Sequence, residues 1–191
     1  MSKPPVHSGE GQALSTDAEI DAFLQKVNEM PRTARTDGRR GRLIFGMDAT
    51  ASREPTWDMA CHIQADMFSQ TAAIGGLEVQ LVYYRGFGEC KAGKWQPDAQ
   101  GLARLMGKVR CHAGRTQIGK VLRHARQQTE REKVNALVFV GDAFEEDIDD
   151  VCHHAGELGL FDLPVFLFQE GHDPAAARAF GEIARLTRGA H

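Results

Sequence analysis

The sequence has no apolar stretch near the ~20 residues that a membrane-crossing helix requires. Its longest, residues 136–140 and 163–168, are short and bounded by polar positions. No helical membrane span is therefore expected. Only four cysteines occur, Cys61, Cys90, Cys111 and Cys152, and no two stand in a C-x-x-C pair. That spacing suits neither a disulfide scaffold nor a zinc ribbon, and the four read as reduced thiols. Residues 1–12 carry no hydrophobic run behind Lys3. The middle region of a secretory signal is thus missing, and a cytoplasmic location is expected. No internal repeat is visible.

What is present is ordinary for a globular chain: 191 residues, 42% hydrophobic and 26% charged, with a formal net charge of -3. A chain of this size can bury about 70% of the surface it exposes when unfolded, enough for one core without staples. The charge is unevenly placed. Residues 103–126 hold seven Lys or Arg and no acid, whereas residues 142–150 hold six acids and no base. Within the basic tract, Arg104, Lys108, Arg123 and Arg126 fall opposite the apolar stripes of their helices, as a solvated face would. No aromatic residue lies among them, so there is no stacking platform for bases and nucleic acid is not expected as a partner.

Three regions follow along the chain. Residues 1–14 are rich in Gly, Ser and Pro and read as a flexible tail. Residues 15–39 open with the capping box Thr16-Asp17-Ala18-Glu19 and continue as an amphipathic helix through Ile20, Phe23, Leu24 and Val27, followed by an Arg-rich linker. Residues 40–191 alternate strands with helices. Strands are expected at 42–48, 77–84, 134–140 and 164–168, with a short polar edge strand near 89–91 after Gly86-Phe87-Gly88. Helices are expected after Pro55, with Met59, Ile63 and Met67 on one face, and at Asp98, Thr116, Asp147 and Asp173-Pro174. The order implies a doubly wound α/β domain: a mostly parallel sheet with one antiparallel edge strand, helices on both faces.

In such a sheet ligands bind beyond the carboxyl ends of the strands. Two strands end in acids, Asp48 and Asp142, and the loop carrying Thr116 reaches the same rim. Asp48, Thr50 and Ser52 alternate with small alanines, so one carboxylate and two hydroxyls can point the same way. An all-oxygen set with one or two carboxylates suits a hard cation, Mg²⁺ first, then Mn²⁺ or Ca²⁺.

Together Asp48-x-Thr50-x-Ser52, Gly114-Arg115-Thr116-Gln117-Ile118-Gly119 and Asp142 resemble the metal-ion-dependent adhesion site of the von Willebrand factor A (VWA) domain, a Rossmann-like fold. The resemblance covers about residues 40–189. It implies that Asp48, Thr50, Ser52, Thr116 and Asp142 hold the metal and that an Asp or Glu of a partner protein completes the metal's shell. It further implies a binding domain rather than an enzyme, with no small-molecule substrate, and a bacterial setting in which such domains work with AAA-type ATPases. Arg115, His112 and Glu145 are expected beside the metal as partner contacts. Three departures stand out: Thr50 replaces the usual serine, Gly141-Asp142-Ala143 replaces Thr-Asp-Gly, and the chain is expected to stop before the family's final strand and helix.

An alternative resemblance is to the haloacid dehalogenase-like phosphatases, through Gly141-Asp142-x-x-x-x-Asp147 and the Asp-led loop after the first strand. It would make Asp48 the nucleophile beside Mg²⁺, with Thr116 on the phosphate and Lys120 or Lys133 neutralising it. Thr50 stands where that family places a second aspartate, and a threonine cannot serve as general acid near neutral pH. The dipeptides Cys61-His62, Cys111-His112 and Cys152-His153 lie too far apart along the chain for a compact zinc motif.

Overall fold

The computed structural model describes residues 40–57 and 77–191. The expected tail and N-terminal helix of residues 1–39, and the helix with Met59, Ile63 and Met67, lie outside the described residues, as does Cys61-His62.

Four apolar segments and one short polar segment form one sheet. They are β1 (Gly41–Asp48), β2 (Leu77–Arg85), β3 (Glu89–Ala92), β4 (Ala136–Gly141) and β5 (Val165–Gln169). Their spatial order is β3-β2-β1-β4-β5. β1 pairs in parallel with β2 and β4, β4 in parallel with β5, and β3 runs antiparallel to β2 as the edge. Because the chain steps from β1 to β2 on one side and later returns to β4 on the other, the carboxyl ends of β1 and β4 form the sheet's switch point. Asp48 closes β1 there, and Asp142 follows β4 directly.

The described helices are α1 (Ala99–Met106), α2 (Ile118–Arg131), α3 (Ile148–Leu160) and α4 (Pro174–Thr187). Period-two alternation along the strands divides the core between the two faces. Ile44, Val82 and Phe139 pack with Val121, Leu122, Val151 and Phe180 of α2, α3 and α4. Phe45, Met47, Leu81 and Val138 turn the other way, onto Leu102 and Met106 of α1 and onto Trp57. Burying each of these large side chains contributes about 1.5–3 kcal/mol.

Helix starts follow short side chains in extended backbone. Asp98 accepts from Gly101 N, Asp147 from Asp149 and Asp150 N, and Asp173 from Ala175 N just after Pro174. Two local readings differ from the sequence expectation. Residues Ala51–Thr56 form a 3-10 helix with Pro55 inside it, so the loop after β1 winds tightly before Trp57. The central helix opens at Ile118, not Thr116, because Thr116 is engaged elsewhere. Beyond α4, Ala190 pairs in parallel with the outer edge of β5, through Leu167 N donating to Ala190 O at 2.9 Å and Ala190 N donating to Val165 O at 3.2 Å.

Candidate metal centre

Three chain segments meet at the switch point. The first is the loop leaving β1. Asp48 is wholly buried; its Oδ1 accepts from Thr50 N at 2.7 Å and its Oδ2 from the Tyr84 hydroxyl at 2.9 Å. These two donors fix the carboxylate's plane. Thr50 Oγ1 and Ser52 Oγ lie 3.0 Å apart, so the alternating hydroxyls converge as the spacing of the sequence suggests. Burial raises the Asp48 pKa above its ordinary value, against hydrogen bonds from Thr50 and Tyr84 that lower it, and the negative charge of Asp142 raises it further. Burial pushes the Tyr84 phenol well above its usual range, with Asp48 adding to the effect, which keeps Tyr84 a donor.

The second segment follows β4. Backbone of β4 approaches β1 so closely that a β-carbon on Gly141 would sit 3.6 Å from that of Asp48. The next residue, Asp142, has a buried Oδ1 with no hydrogen-bond partner among the described residues. A buried carboxylate oxygen without a partner is costly. Two neighbouring carboxylates, one of them wholly buried, therefore form a site whose electrostatics a cation would relieve, and the oxygen-only donor set fits a hard divalent ion. Asp48, Asp142 and the hydroxyls of Thr50 and Ser52 are the residues able to hold it, together with Thr116.

The third segment is the loop from Cys111 to Gln117. Its start is tied to the first: His112 N donates to Ala49 O at 3.0 Å, and Thr50 and His112 form a parallel bridge. Its end is tied to the second: Glu145 N donates to Thr116 Oγ1 at 2.9 Å while Thr116 N donates to Glu145 Oε2 at 3.2 Å. Accepting one bond leaves the Thr116 oxygen a second lone pair. Glu146 then caps α2, accepting from Ile118 N at 2.5 Å and Gly119 N at 3.0 Å. His112 and Arg115 are exposed on this rim, and Glu145, though exposed, spends its carboxylate on Thr116.

No family model matches the sequence, and no curated protein matches it. Solved structures do match the fold. The SpRpn10 VWA domain aligns with TM-score 0.62 at 8% identity, over 80% of this chain and 86% of that one. The VWA fold is the fold of this chain. Proximal thread matrix protein 1 from the mussel byssus, with a zinc-occupied MIDAS motif, aligns with TM-score 0.63 at 15% identity over 79% of this chain, which spans only 41% of that one. Manganese-loaded TRAP of Plasmodium vivax aligns with TM-score 0.60 at 12% identity, over 78% of this chain and 63% of that one.

Three residues of the VWA rim carry weight that sequence reasoning missed. Arg53 is wholly buried and paired with Glu170, which lies just past β5. Tyr84 reads as one more core aromatic of β2, yet its hydroxyl holds Asp48. Glu146 reads as part of an acidic run favouring α3, yet it caps α2 from a distant loop. The only sequence signal for Glu146 was its nearness to Asp142.

Of the basic stretch, Arg104 of α1, Lys108 just beyond it and Arg123 of α2 are exposed, as expected, whereas Arg126 is half-buried against Glu130 and Glu157. The three described cysteines are free. His153, His154 and Glu157 on α3 bring ligand atoms within 4.8 Å of one another. However, both ring nitrogens of His154 are engaged, one with Arg123 at 3.0 Å and the other with Glu157 at 3.1 Å. Arginine can only donate, so Nε2 of His154 accepts from Arg123 and is not free to bind an ion.

Proposed function

We propose that this domain binds a partner protein through a divalent cation. Asp48, Thr50, Ser52, Thr116 and Asp142 hold the ion, Mg²⁺ first and Mn²⁺ or Ca²⁺ next, and an Asp or Glu of the partner completes its coordination. The observation that carries the reading is the buried oxygen of Asp142, without a hydrogen-bond partner among the described residues, beside the buried carboxylate of Asp48. Bound there, the ion supplies positive charge to attract an acid. The chain's own residues orient the ligand atoms: Tyr84 and the Thr50 amide set the Asp48 carboxylate, and Glu145 sets Thr116. His112 and Arg115 flank the ion and meet the partner's acidic surroundings. Metal-loaded neighbours of the same fold support the reading, and their printed ions, zinc and manganese, belong to those proteins. The partner we favour is a component of an AAA-type ATPase system within the cytoplasm of a bacterium.

The phosphatase alternative gains no support from the rim. The backbone N–H groups that would greet a phosphate at the start of α2 are taken by carboxylates, Thr116 N by Glu145 and Ile118 and Gly119 N by Glu146. Lys120 reaches away to Gly88 O and Gln117 Oε1.

Calorimetric titration with Mg²⁺ and Mn²⁺ tests the site. Binding by the parent that disappears in Asp48→Ala and Asp142→Ala is the expected result; equal heats in all three would end the proposal. Retention of a partner in Mg²⁺ and its release by chelator tests the docking half.

A further inference from the structure

Resting on the cation-docking reading, we propose that Gln117 is a positioning residue: it fixes Thr116 relative to Asp48, and so makes the site select a small, geometrically strict ion, Mg²⁺, over Ca²⁺.

Gln117 stands directly before α2, where a capping side chain belongs, yet it makes no capping bond. Glu146, from another loop, takes that role by accepting from Ile118 N and Gly119 N. The carboxamide of Gln117 turns instead to the β2–β3 hairpin. Gln117 is only 7% exposed, and its Nε2 donates to Gly86 O at 3.2 Å and to Arg85 O at 3.3 Å. Its Oε1 accepts from Lys120 Nζ at 2.7 Å, and the same ammonium donates to Gly88 O at 2.9 Å. On the other side of Thr116, Arg115 N donates to Gly86 O at 3.1 Å. Gly114 approaches so closely that a β-carbon on it would sit 2.1 Å from that oxygen. The hairpin therefore holds Thr116 through both of its chain neighbours.

The same strand holds Asp48. β2 ends at Arg85, and the hydroxyl of Tyr84, one residue earlier, donates to Asp48 Oδ2 at 2.9 Å. Two proposed ligands from distant parts of the chain are thus anchored to three consecutive residues, Tyr84, Arg85 and Gly86. That short piece of backbone sets how far apart they stand, and Gln117 is the side chain that ties Thr116 to it. Rigidity then decides the ion. Mg²⁺ demands near-ideal octahedral geometry with oxygens at about 2.0–2.1 Å, whereas Ca²⁺ accepts looser shells at about 2.3–2.6 Å. A hydroxyl freed to shift therefore costs Mg²⁺ more than Ca²⁺.

Calorimetric titration of the full chain with Mg²⁺ and, separately, Ca²⁺ tests this on the parent, Gln117→Met and Lys120→Met. Gln117→Met keeps the length of the side chain and removes its donors. Lys120→Met loosens the Oε1 end of the carboxamide, and it decides the matter where Gln117→Met does not fold. The readout is the ratio of Mg²⁺ to Ca²⁺ affinity, in which the lost charge of Lys120 cancels because both ions are divalent. The parent should prefer Mg²⁺. Its ratio should fall about tenfold in Gln117→Met, as is usual when a group that orients a metal ligand is removed, and by a smaller factor in Lys120→Met. A residue that served stability alone would lower both affinities together. A parent that prefers Ca²⁺, or a ratio unchanged in the deciding variant, overturns the inference and leaves the cation-docking reading standing. A parent that binds neither ion overturns both.

Discussion

Arg53 and Glu170 form an ion pair that joins the loop after β1 to the end of β5, with the guanidinium wholly buried. Glu170 N in turn donates to Gly141 O at 2.9 Å, so the pair fastens the turn following Asp48-x-Thr50-x-Ser52 to the strand that delivers Asp142. Removing one partner leaves a charge stranded. Glu170→Gln should cost about 3 kcal/mol or more because it isolates the buried arginine, and Arg53→Met should cost less because Glu170 is 25% exposed. The double variant Arg53→Met/Glu170→Met should recover part of the loss. Urea denaturation of the four proteins measures this, and equal stability of Glu170→Gln and the parent would refute the coupling.

Asp48 makes the cation-free protein sensitive to pH. Its carboxyl is held above the ordinary 3.8 by burial first, despite bonds from Thr50 and Tyr84, with Asp142 adding to the rise. The folded chain then binds this proton more tightly than the unfolded one does. Its contribution to stability therefore falls as pH rises from 3.8 through the folded value, and the deprotonated, cation-free state at neutral pH carries the cost. Asp48→Asn should melt a few degrees higher than the parent in chelator at pH 7, since about 1 kcal/mol moves a chain of this size by ~2–4 °C. The same variant should lose any Mg²⁺-induced rise. A lower melting temperature for Asp48→Asn in chelator would contradict the assignment.

The cap supplied by Glu146 is open to a local measurement. Glu146→Ala should destabilise the domain by about 1–2 kcal/mol and speed hydrogen exchange at the amides of Ile118 and Gly119, the two it accepts from. Exchange unchanged at those amides would show that the cap does not operate in solution.

Cys111, beside the rim, has its thiol pushed up to about 11, chiefly by burial. At pH 8 the folded protein should alkylate there about a hundredfold more slowly than the denatured chain, whose thiol titrates near ~8.5. Mass spectrometry after timed iodoacetamide treatment reads the ratio; equal rates would mean the thiol is not shielded.

Four strands were legible as short apolar runs, as in residues 43–48 ending at Asp48, the polar edge strand followed from the turn at Gly86-Phe87-Gly88, and the caps at Asp98, Asp147 and Asp173 announced their helices through local chemistry. Asp48, Thr50 and Ser52 could be grouped because their convergence needs only alternate spacing. The rest depended on contacts across the fold. Arg53, between Ser52 and Glu54, looks like any surface turn residue, and only the arrival of Glu170 from far along the chain allows its burial. Thr116 looked like a helix start, but Glu145 takes its hydroxyl and Glu146 takes over the capping, which moves the first turn to Ile118. No periodicity encodes such a partner.

β1 is paired with β2 along its whole length and with β4 from residue 43 to 47, so its centre is gripped by backbone bonds on both sides. The height at which Asp48 emerges is consequently dictated by peptide groups, which every side chain shares. Chemistry and scaffold are in this sense separately editable: the acid and its hydroxyls can be exchanged while the lattice beneath keeps its alignment. A lineage could silence the ion, or adopt a different one, and inherit the same architecture intact.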